Sequence, residues 1–267
     1  MIPAFNEEKR IGRALEKHLD FFRDIEIFIA MDGCIDRTLF IVEEFSRKEN
    51  TNNNSVSYIH FNERLGKGNG LLRAIEHIKG DILVITDADE STSSSEISKL
   101  IDLMDGCDCV IGSRWLPESK VLVKQPVQRR IASRGFNFLV RTMFGIPFKD
   151  TQCGAKVIRK DAIKSVMGDM STFNFAFDID LLYQLQKKGF KIKEVPIVWG
   201  DKAGSSIKLF SVVITMFLAI LRLRIINSPL GFLIRNKFVT YIYNYISRDR
   251  HENRSYIDVS PKKSKAF

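Results

Sequence analysis

The sequence predicts an α/β protein with a doubly wound sheet, in which short buried strands alternate with helices. Apolar runs of roughly four to eight residues recur over the first 115 residues, and segments with helical spacing separate them. The 267 residues, 45% of them hydrophobic, suffice for one such domain and an appendage. Four cysteines without a CxxC pair and four scattered histidines indicate neither a disulfide framework nor a zinc cluster. We therefore expect a reducing, cytoplasmic compartment.

Each element follows from an apolar run or a helical pattern. The expected strands are Ile25–Met31, Val56–Phe61, Ile82–Thr86, Cys109–Gly112, Cys153–Ile158 and Ile192–Trp199. The expected helices cover about 7–21, 36–49, 67–79, 94–104, Val127–Phe144 and Phe177–Lys188. Loops are expected at 49–55 and 116–126. Ligands bind beyond the carboxyl ends of the strands in such a sheet.

The sharpest chemical motif is a pair of carboxylates at the end of one predicted strand. Asp87 and Asp89, here called the acidic pair, follow the apolar run Ile82–Thr86. Side chains alternate along an extended chain, so both carboxylates can point the same way. Two hard oxygen ligands suit Mg²⁺ or Mn²⁺ bridged to a substrate diphosphate. The alternative is a solvated acidic turn that caps the next helix.

Three further motifs begin or end elements on the same predicted edge. In IPAFNEE (2–8), backbone N–H groups at a helix start can hold phosphate, or Asn6 simply caps that helix. In MDGCIDRT (31–38), Asp32 is a candidate for binding a ribose or base, or the segment is a turn in which Asp36 caps a helix. In RLGKGNG (64–70), Lys67 can approach a diphosphate, or the segment is a solvated loop.

Together these motifs resemble the nucleotide-binding half of glycosyltransferase family 2 enzymes, which have the GT-A fold. GSRW (112–115), RRIASRGFNFLV (129–140), DTQCGAK (150–156) and FAFDIDLLYQLQKKG (175–189) are similar to the polyprenyl-phosphate branch. That branch contains dolichyl-phosphate mannose synthases and dolichyl-phosphate glucosyltransferases. DTQCGAK and the order AFDIDLL, EVPIVW, LRLR look closer to the glucosyltransferases, and Ser91 stands where mannose synthases often have glutamine.

The resemblance implies a fold, substrates and a set of site residues. It implies a GT-A-type doubly wound mixed sheet for residues 1–205, with UDP-glucose as favoured donor and GDP-mannose as second choice. The acceptor would be polyprenyl or dolichyl phosphate, and the acidic pair would bind Mg²⁺ or Mn²⁺. Catalytic roles fall on Asp89, Arg114 and Asp178, and donor or acceptor contacts on Pro3, Phe5, Glu7, Asp32, Lys67, Asp87, Arg129, Ser133 and Arg134.

Two of these assignments have plain alternatives. Arg129 and Ser133 lie four residues apart on one helical face, but helix arginines are often solvated or paired with acids. Asp178 and Asp180 are candidates for orienting the sugar, but they also fit an ordinary acidic helix start.

The C-terminal part is basic and apolar. From Lys202 onward there are 12 Lys/Arg and 3 Asp/Glu, so the first 201 residues hold 29 of each sign. The uncharged run Leu209–Leu221 forms a helix only about 20 Å long, against a bilayer core of roughly 30 Å. We therefore expect amphipathic, membrane-interfacial helices over 206–247, with a buried core helix or a single tilted membrane span as the alternatives. Residues 248–267 are expected to be a disordered basic tail.

The sequence thus predicts an inverting hexosyltransferase that is membrane-associated, with its active site facing the cytoplasm. A rival from another class is a non-catalytic, membrane-tethered nucleotide-binding module. Nucleic acid is not an expected partner, because the basic residues concentrate in the tail and the body is neutral.

Overall fold

The structure is a computed structural model that describes residues 1–48, 52–123, 126–171, 176–200 and 209–228, with side chains from residue 216 onward in the last range. The first part contains β1 (Ile2–Ala4), α1 (Ile11–Phe21), β2 (Glu26–Asp32), α2 (Thr38–Arg47), β3 (Ser55–Phe61), α3 (Lys67–Ile75), β4 (Ile82–Ile85), α4 (Ser94–Asp102) and β5 (Cys109–Ser113). The second part contains β6 (Lys120–Val121), α5 (Val127–Phe144), β7 (Lys156–Arg159), α6 (Lys160–Met167), α7 (Phe177–Lys187), β8 (Ile192–Pro196), β9 (Val198–Trp199) and α8 (Leu209–Ile226).

The strands form a mixed sheet, as predicted. Strands β1, β2 and β3 are parallel in that order, and a second group has the order β4, β7, β5, β8. Two hydrogen bonds join the groups, from Met1 N to Val84 O (2.6 Å) and from Thr86 N to Met1 O (3.1 Å). Strand β7 runs antiparallel to both its neighbours, whereas β8 is parallel to β5. The carboxyl ends of β1, β2, β4 and β5 therefore share one edge.

Both faces of the sheet are covered by helices, because side chains alternate along each strand. In β2, Ile27 and Ile29 pack with α1 and α2, while Phe28 and Ala30 face a core that also contains residues of α3, α5, α6, α7 and α8. A third cluster packs α4 against β5, β7 and β8. This two-sided burial leaves the carboxyl edge as the place where polar side chains converge.

Several bounds differ from the predictions. Helix α1 begins at Ile11, because residues 7–10 form a turn in which Glu7 O accepts hydrogen bonds from the N–H groups of Arg10 and Ile11. Strand β7 starts at Lys156 instead of residue 153. The expected strand over 192–199 divides in two, since β9 pairs with β6 in a separate small sheet.

The described part of α8 packs on the body. Ala219, Ile220 and Leu223 are buried in the core shared with α5 and α7, and Gln184 donates to the side-chain oxygen of Asn227 (3.3 Å). Within the described residues, no helix is long and apolar enough to cross a membrane. The interfacial helices over 206–247 therefore stay a prediction, and their part beyond residue 228, like the tail 248–267, lies outside the described residues.

Candidate active site

Hydrogen bonds connect the turn after β1 to the turn after β2. Asn6 has a φ of 55°, and its side-chain oxygen accepts a hydrogen bond from Ile35 N (2.9 Å). Glu7 N donates to Thr38 Oγ1 (2.7 Å). Capping of α1 by Asn6 is therefore wrong, because the helix begins at Ile11 and the Asn6 side chain bonds to the neighbouring turn.

Three predicted donor contacts, Pro3, Phe5 and Glu7, follow one another through this turn. The guanidinium of Arg64 lies over the exposed ring of Phe5, 4.0 Å from its centroid. The Glu7 carboxylate accepts a hydrogen bond from Arg10 Nε (2.7 Å). Burial raises the pKa of Glu7 against the opposing charge of Arg10, and both carboxylates of the acidic pair add to the rise. The negative charges of the acidic pair therefore act on the carboxylate of Glu7.

Asp32 ends β2 and holds the loop that leads into α3. Its Oδ1 accepts from Leu65 N (2.5 Å) and its Oδ2 from Gly66 N (2.9 Å). Burial raises the pKa of Asp32, and the two backbone N–H groups act against that rise. Gly33 has a φ of +68°, and a Cβ there would lie 2.8 Å from Arg64 N, so this turn requires glycine. The contact of Asp32 with a base or ribose stays a prediction.

Lys67 and Asp87 form an ion pair at the centre of the site. Lys67 Nζ lies 3.2 Å from Asp87 Oδ1. The charge of Lys67 lowers the pKa of Asp87 most strongly, against burial, with smaller contributions from Lys156 and Arg114. Burial alone would lower the pKa of Lys67, but the carboxylates of Asp87 and Asp178 outweigh it and raise that pKa. Both partners are therefore charged at neutral pH.

A turn after β4 brings Asp89 to the carboxyl edge of the sheet. Strand β4 ends at Ile85, so the expected alternation of an extended chain does not orient the acidic pair. Asp89 Oδ1 accepts from Ser91 N (2.9 Å), which closes a local turn. Glu90, with a φ of 55°, directs its carboxylate towards α1, where Lys17 Nζ lies 2.7 Å away. The turn thus separates Glu90 from the two carboxylates predicted to bind a metal.

The Asp87 carboxylate packs closely against Gly154. A Cβ on Gly154 would lie 1.9 Å from Asp87 Oδ2, so only glycine leaves room for this carboxylate. The described residues contain no group of three or more His, Cys, Asp and Glu side chains that could hold a metal. Mg²⁺ commonly uses one or two carboxylates and takes its other ligands from substrate phosphates and water. The acidic pair has that composition.

Arg114 follows β5 and is held by Asp150. Its Nε and Nη2 donate to the two oxygens of Asp150 at 2.7 and 2.8 Å, and its backbone N donates to the same carboxylate at 2.9 Å. Asp150 N in turn donates to Glu194 Oε1 (2.7 Å). Burial would lower the pKa of Arg114, but Asp150 outweighs it and raises the pKa. Since a guanidinium has five N–H groups, three remain for other acceptors.

The sequence reasoning also missed the buried ion pair between Lys156 and Asp178. Lys156 is fully buried on β7, and its Nζ donates to Asp178 Oδ1 (2.7 Å) and to Cys153 O (2.5 Å). A lysine inside the apolar run after Cys153 was the signal that could have revealed it. The carboxylate of Asp180 instead accepts hydrogen bonds from Ser171 N (2.7 Å) and Gln184 Nε2 (3.1 Å), which gives it a structural role.

Helix α5 presents Arg129 and Ser133, two of its three predicted acceptor residues, on the side that faces the body, whereas Arg134 is exposed. Arg129 and Ser133 precede Asn137 by two turns and one turn. The Asn137 amide donates to Thr151 Oγ1 (3.4 Å), and Val140, on the same face, is fully buried. Arg129 and Ser133 thus lie on the face of α5 that contacts Thr151 through Asn137.

A cavity of about 370 Å³, here called the basic cavity, opens between α5 and the loop after β5. Arg114, Arg130, Arg134, Trp115 and Trp199 are among its lining residues. The guanidinium of Arg134 lies 5.0 Å from the Trp115 ring centroid, and that of Arg114 lies 5.2 Å from the Trp199 ring centroid. Arg134 was predicted, whereas Arg130 was not, although its spacing of four from Arg134 places both on one helix face.

Several solved structures have a similar architecture, and some of them hold a nucleotide or a nucleotide-sugar. The chain superposes on Mycobacterium tuberculosis glucosyl-3-phosphoglycerate synthase in complex with UDP with a TM-score of 0.59 and 18% identity, over 84% of this chain and 77% of that one. The complex of that enzyme with Mn²⁺, UDP-glucose and phosphoglyceric acid gives 0.59 and 17%, over 85% and 79%. S. aureus TarS with UDP-GlcNAc gives 0.55 and 17%, over 91% and 70%. This likeness shows that the chain has a GT-A-like fold.

The family follows from the sequence comparison. The family model of Glycosyl transferase family 2 matches residues 1–167, which is more than half of the chain. The chain belongs to glycosyltransferase family 2.

The relatives refine this assignment. Glycosyltransferase AglD of Haloferax volcanii is 28% identical over 230 residues, which cover 83% of this chain but only 36% of AglD. The dolichyl-phosphate beta-glucosyltransferases of Dictyostelium discoideum and Saccharomyces cerevisiae are each 29% identical, over 84% and 78% of this chain and 72% and 68% of their own lengths. The chain thus spans about a third of the archaeal relative and about 70% of the two eukaryotic ones.

Proposed function

We propose that this protein is an inverting hexosyltransferase that moves glucose from UDP-glucose to polyprenyl or dolichyl phosphate. Support comes from relatives named dolichyl-phosphate beta-glucosyltransferase and from a similarly folded enzyme with bound UDP-glucose. GDP-mannose is the second choice of donor. The proposed reaction takes place at a membrane surface, with the active site facing the cytoplasm.

One observation carries the proposal, namely that Arg114 belongs to two neighbouring sites. It lines the basic cavity, and its charge also acts on Asp87 of the acidic pair. A donor diphosphate at the acidic pair and an acceptor phosphate in the basic cavity would therefore approach each other across Arg114. A cation between these two anionic groups stabilises a transition state in which their negative charges lie close together.

In this proposal the acidic pair holds the metal, Mg²⁺ or Mn²⁺. When bound, the ion would neutralise negative charge on the departing nucleoside diphosphate. Lys67 and Arg114 supply further positive charge from the protein itself. Asp178, fixed by Lys156, is proposed to orient the sugar hydroxyls.

The acceptor phosphate needs no strong general base, because it is already an ionised nucleophile. One of its oxygens forms a bond to the anomeric carbon of the sugar while the bond from that carbon to the diphosphate oxygen breaks. Attack from the side opposite to the leaving group inverts the anomeric configuration. The residues of the site therefore act by positioning and charge stabilisation.

The deciding experiment offers the protein a panel of labelled nucleotide-sugars together with polyprenyl phosphate. We expect a glucosyl lipid from UDP-glucose, abolished by chelation and restored by Mg²⁺ or Mn²⁺. Asp89→Ala is expected to fold normally and to lose transfer. A mannosyl lipid would favour the second donor, and nucleotide binding without any transfer would favour the non-catalytic module. Full activity in excess chelator would contradict the metal role.

Kinetic measurements on arginine variants distinguish residues that bind the acceptor from residues that bind the donor. A charge-assisted hydrogen bond contributes roughly 1.5–3 kcal/mol, so Arg129→Ala or Arg134→Ala is expected to slow transfer about 10- to 100-fold. The affinity for the nucleoside diphosphate, measured by calorimetry, is expected to stay nearly intact. Arg141→Ala, at the other end of the same helix, serves as the matched control. Equal loss of nucleotide affinity would move the substituted arginine to the donor site.

A further inference from the structure

Glu194, on strand β8, holds the backbone of the segment that contains Asp150. Its Oε2 accepts a hydrogen bond from Lys149 N (2.9 Å), and its Oε1 accepts one from Asp150 N (2.7 Å). Hydrogen bonds from an N–H group to a carboxylate are stronger than those to a neutral acceptor. One side chain of β8 therefore restrains two consecutive peptide groups.

The same segment is anchored in the core just before this contact. Ile146 and Phe148 are buried among residues of α5, α6 and α7. Burial of apolar side chains is non-directional, so these anchors fix the depth of the segment without fixing how the next peptide groups are turned. Glu194 supplies that restraint. The side chain of Asp150, which is 2% exposed, then faces Arg114.

Arg114 in turn depends on Asp150 for its direction. The guanidinium Nε and Nη2 donate to Asp150 Oδ2 and Oδ1, and the backbone N of Arg114 donates to Oδ2 as well. Such a two-point contact fixes the plane of a guanidinium. The indole of Trp199 lies against this guanidinium, with its ring centroid 5.2 Å away. The direction of the three remaining N–H groups of Arg114 is therefore set by the position of Asp150.

We propose that Glu194 is a positioning residue for sugar transfer, which directs the remaining N–H groups of Arg114 through the backbone of Asp150. It acts through Arg114 and not by contact with a substrate. The proposal rests on the proposed function for the task of Arg114, which is to stabilise charge between the donor diphosphate and the acceptor phosphate. A misdirected guanidinium would keep its charge in the site but lose its alignment with the charge that develops, and that alignment lowers the barrier.

The first test measures the restraint on Arg114 and needs no substrate. In protein with ¹⁵N-labelled arginine, the Nε–H signal of Arg114 is identified by its absence from Arg114→Lys. Glu194→Gln keeps the shape of the side chain but offers one acceptor oxygen, so it cannot accept from both backbone N–H groups. We expect the Arg114 Nε–H to exchange with water about tenfold faster in this variant. Lys193→Gln, at the neighbouring exposed position of β8, is the matched control and is expected to exchange like the wild type.

The second test measures glucose transfer to polyprenyl phosphate by Glu194→Gln, Arg114→Lys and the double variant, after urea unfolding has shown that each is folded. Glu194→Gln is expected to lower kcat about tenfold or more. Its affinity for UDP, measured by calorimetry, is expected to stay nearly unchanged, because the acidic pair and Lys67 remain in place. In the Arg114→Lys background the same change is expected to slow transfer by about twofold at most, since lysine is a point charge without a planar fork to direct.

Two results would overturn the proposal. One is equal exchange of the Arg114 Nε–H in Glu194→Gln and in the wild type. The other is an equal slowing of transfer by Glu194→Gln in both backgrounds, which is what a merely structural role predicts.

Failure of the proposed function has a different signature. Faster exchange in Glu194→Gln, with no transfer to lipid phosphate by the wild type, would contradict the proposed function and leave the control of Arg114 by Glu194 standing. Transfer by the wild type together with unchanged exchange in the variant would contradict only the role of Glu194.

Discussion

At the scale of single residues, the contact between Gly154 and Asp87 offers a sharp test of the site. Gly154→Ala would place a methyl group against the Asp87 carboxylate, which must then move away from its position beside Lys67. A displacement of about 1 Å can cost on the order of 100-fold in rate, and we expect a loss of that size in the transfer assay. Gly168→Ala, where nothing lies within 4 Å of the new Cβ, is the control. Equal activity of both variants would contradict the close fit.

The buried pair Lys156–Asp178 makes a second prediction. Lys156→Met would leave the buried Asp178 carboxylate without its cation, which typically costs about 3–5 kcal/mol. We expect a loss of that order in the free energy of unfolding, measured with urea. Adding Asp178→Asn should recover part of the loss, because the uncompensated charge is then gone. If the two losses simply add, the ion pair does not couple these residues.

At the scale of elements, α5 and its C-terminal end contain two glycines with opposite expected effects. A Cβ would have open space at both Gly135 and Gly145, but only Gly145 has a positive φ, +64°. Gly135→Ala is expected to raise the free energy of unfolding by up to about 1 kcal/mol, since alanine favours the helix interior. Gly145→Ala is expected to lower it by about 1–2 kcal/mol. Denaturant unfolding of the two variants checks the signs, and equal signs would contradict the distinction between the two backbone conformations.

Most of the order of elements was predictable, because an apolar run marks a buried strand whatever its neighbours are, but α6 and β6 were not predicted. The predicted strand over 82–86 became Ile82–Ile85, and the helix Val127–Phe144 has the predicted bounds. The antiparallel placement of β7 between β4 and β5 was not predictable, since periodicity carries no information on which strands pair. The family resemblance implied a mixed sheet, but it did not say which strand runs antiparallel.

The candidate site was predictable only in its parts. The sequence pointed to Asp32, Lys67 and Asp87. It could not show that both carboxylate oxygens of Asp32 accept hydrogen bonds from the backbone N–H groups of residues 65 and 66. Such contacts depend on how two loops meet in space. For the same reason the pairing of Arg114 with Asp150, 36 residues away, could not be predicted.

At the scale of the whole molecule, the position of α8 fixes where the chain can be shortened. A protein ending at residue 206 loses the buried Ala219, Ile220 and Leu223. Removing one large buried aliphatic side chain costs about 2–5 kcal/mol, so we expect this truncation to unfold far more easily. A protein ending at residue 228 keeps the core of all described residues and should unfold like the full chain. Thermal unfolding of both decides, and equal stability would contradict the packing of α8.

Acid stability depends on His18, which joins α1 to α4. His18 is buried with Nδ1 2.9 Å from Ser94 Oγ, and burial lowers its pKa to about 4. The unfolded chain, with a pKa near 6.5, binds this proton more readily. The contribution is therefore complete above about pH 6.5 and is lost as the pH falls towards 4, by about 3 kcal/mol. His18→Gln should flatten the unfolding free energy over this range, and an unchanged slope would contradict it.

The ion pairs of the site also bear on which phosphates the protein ignores. Lys67 and Lys156 each already hold a carboxylate. A bare anion such as inorganic phosphate can engage one of these two lysines only by leaving its carboxylate without a cation, so it gains little by binding there. A ligand that brings positive charge together with its phosphates leaves no carboxylate without a cation. We therefore expect the abundant free anions of a cell to bind weakly at these ion pairs. The donor is expected to bind by replacing one ion-pair contact with another.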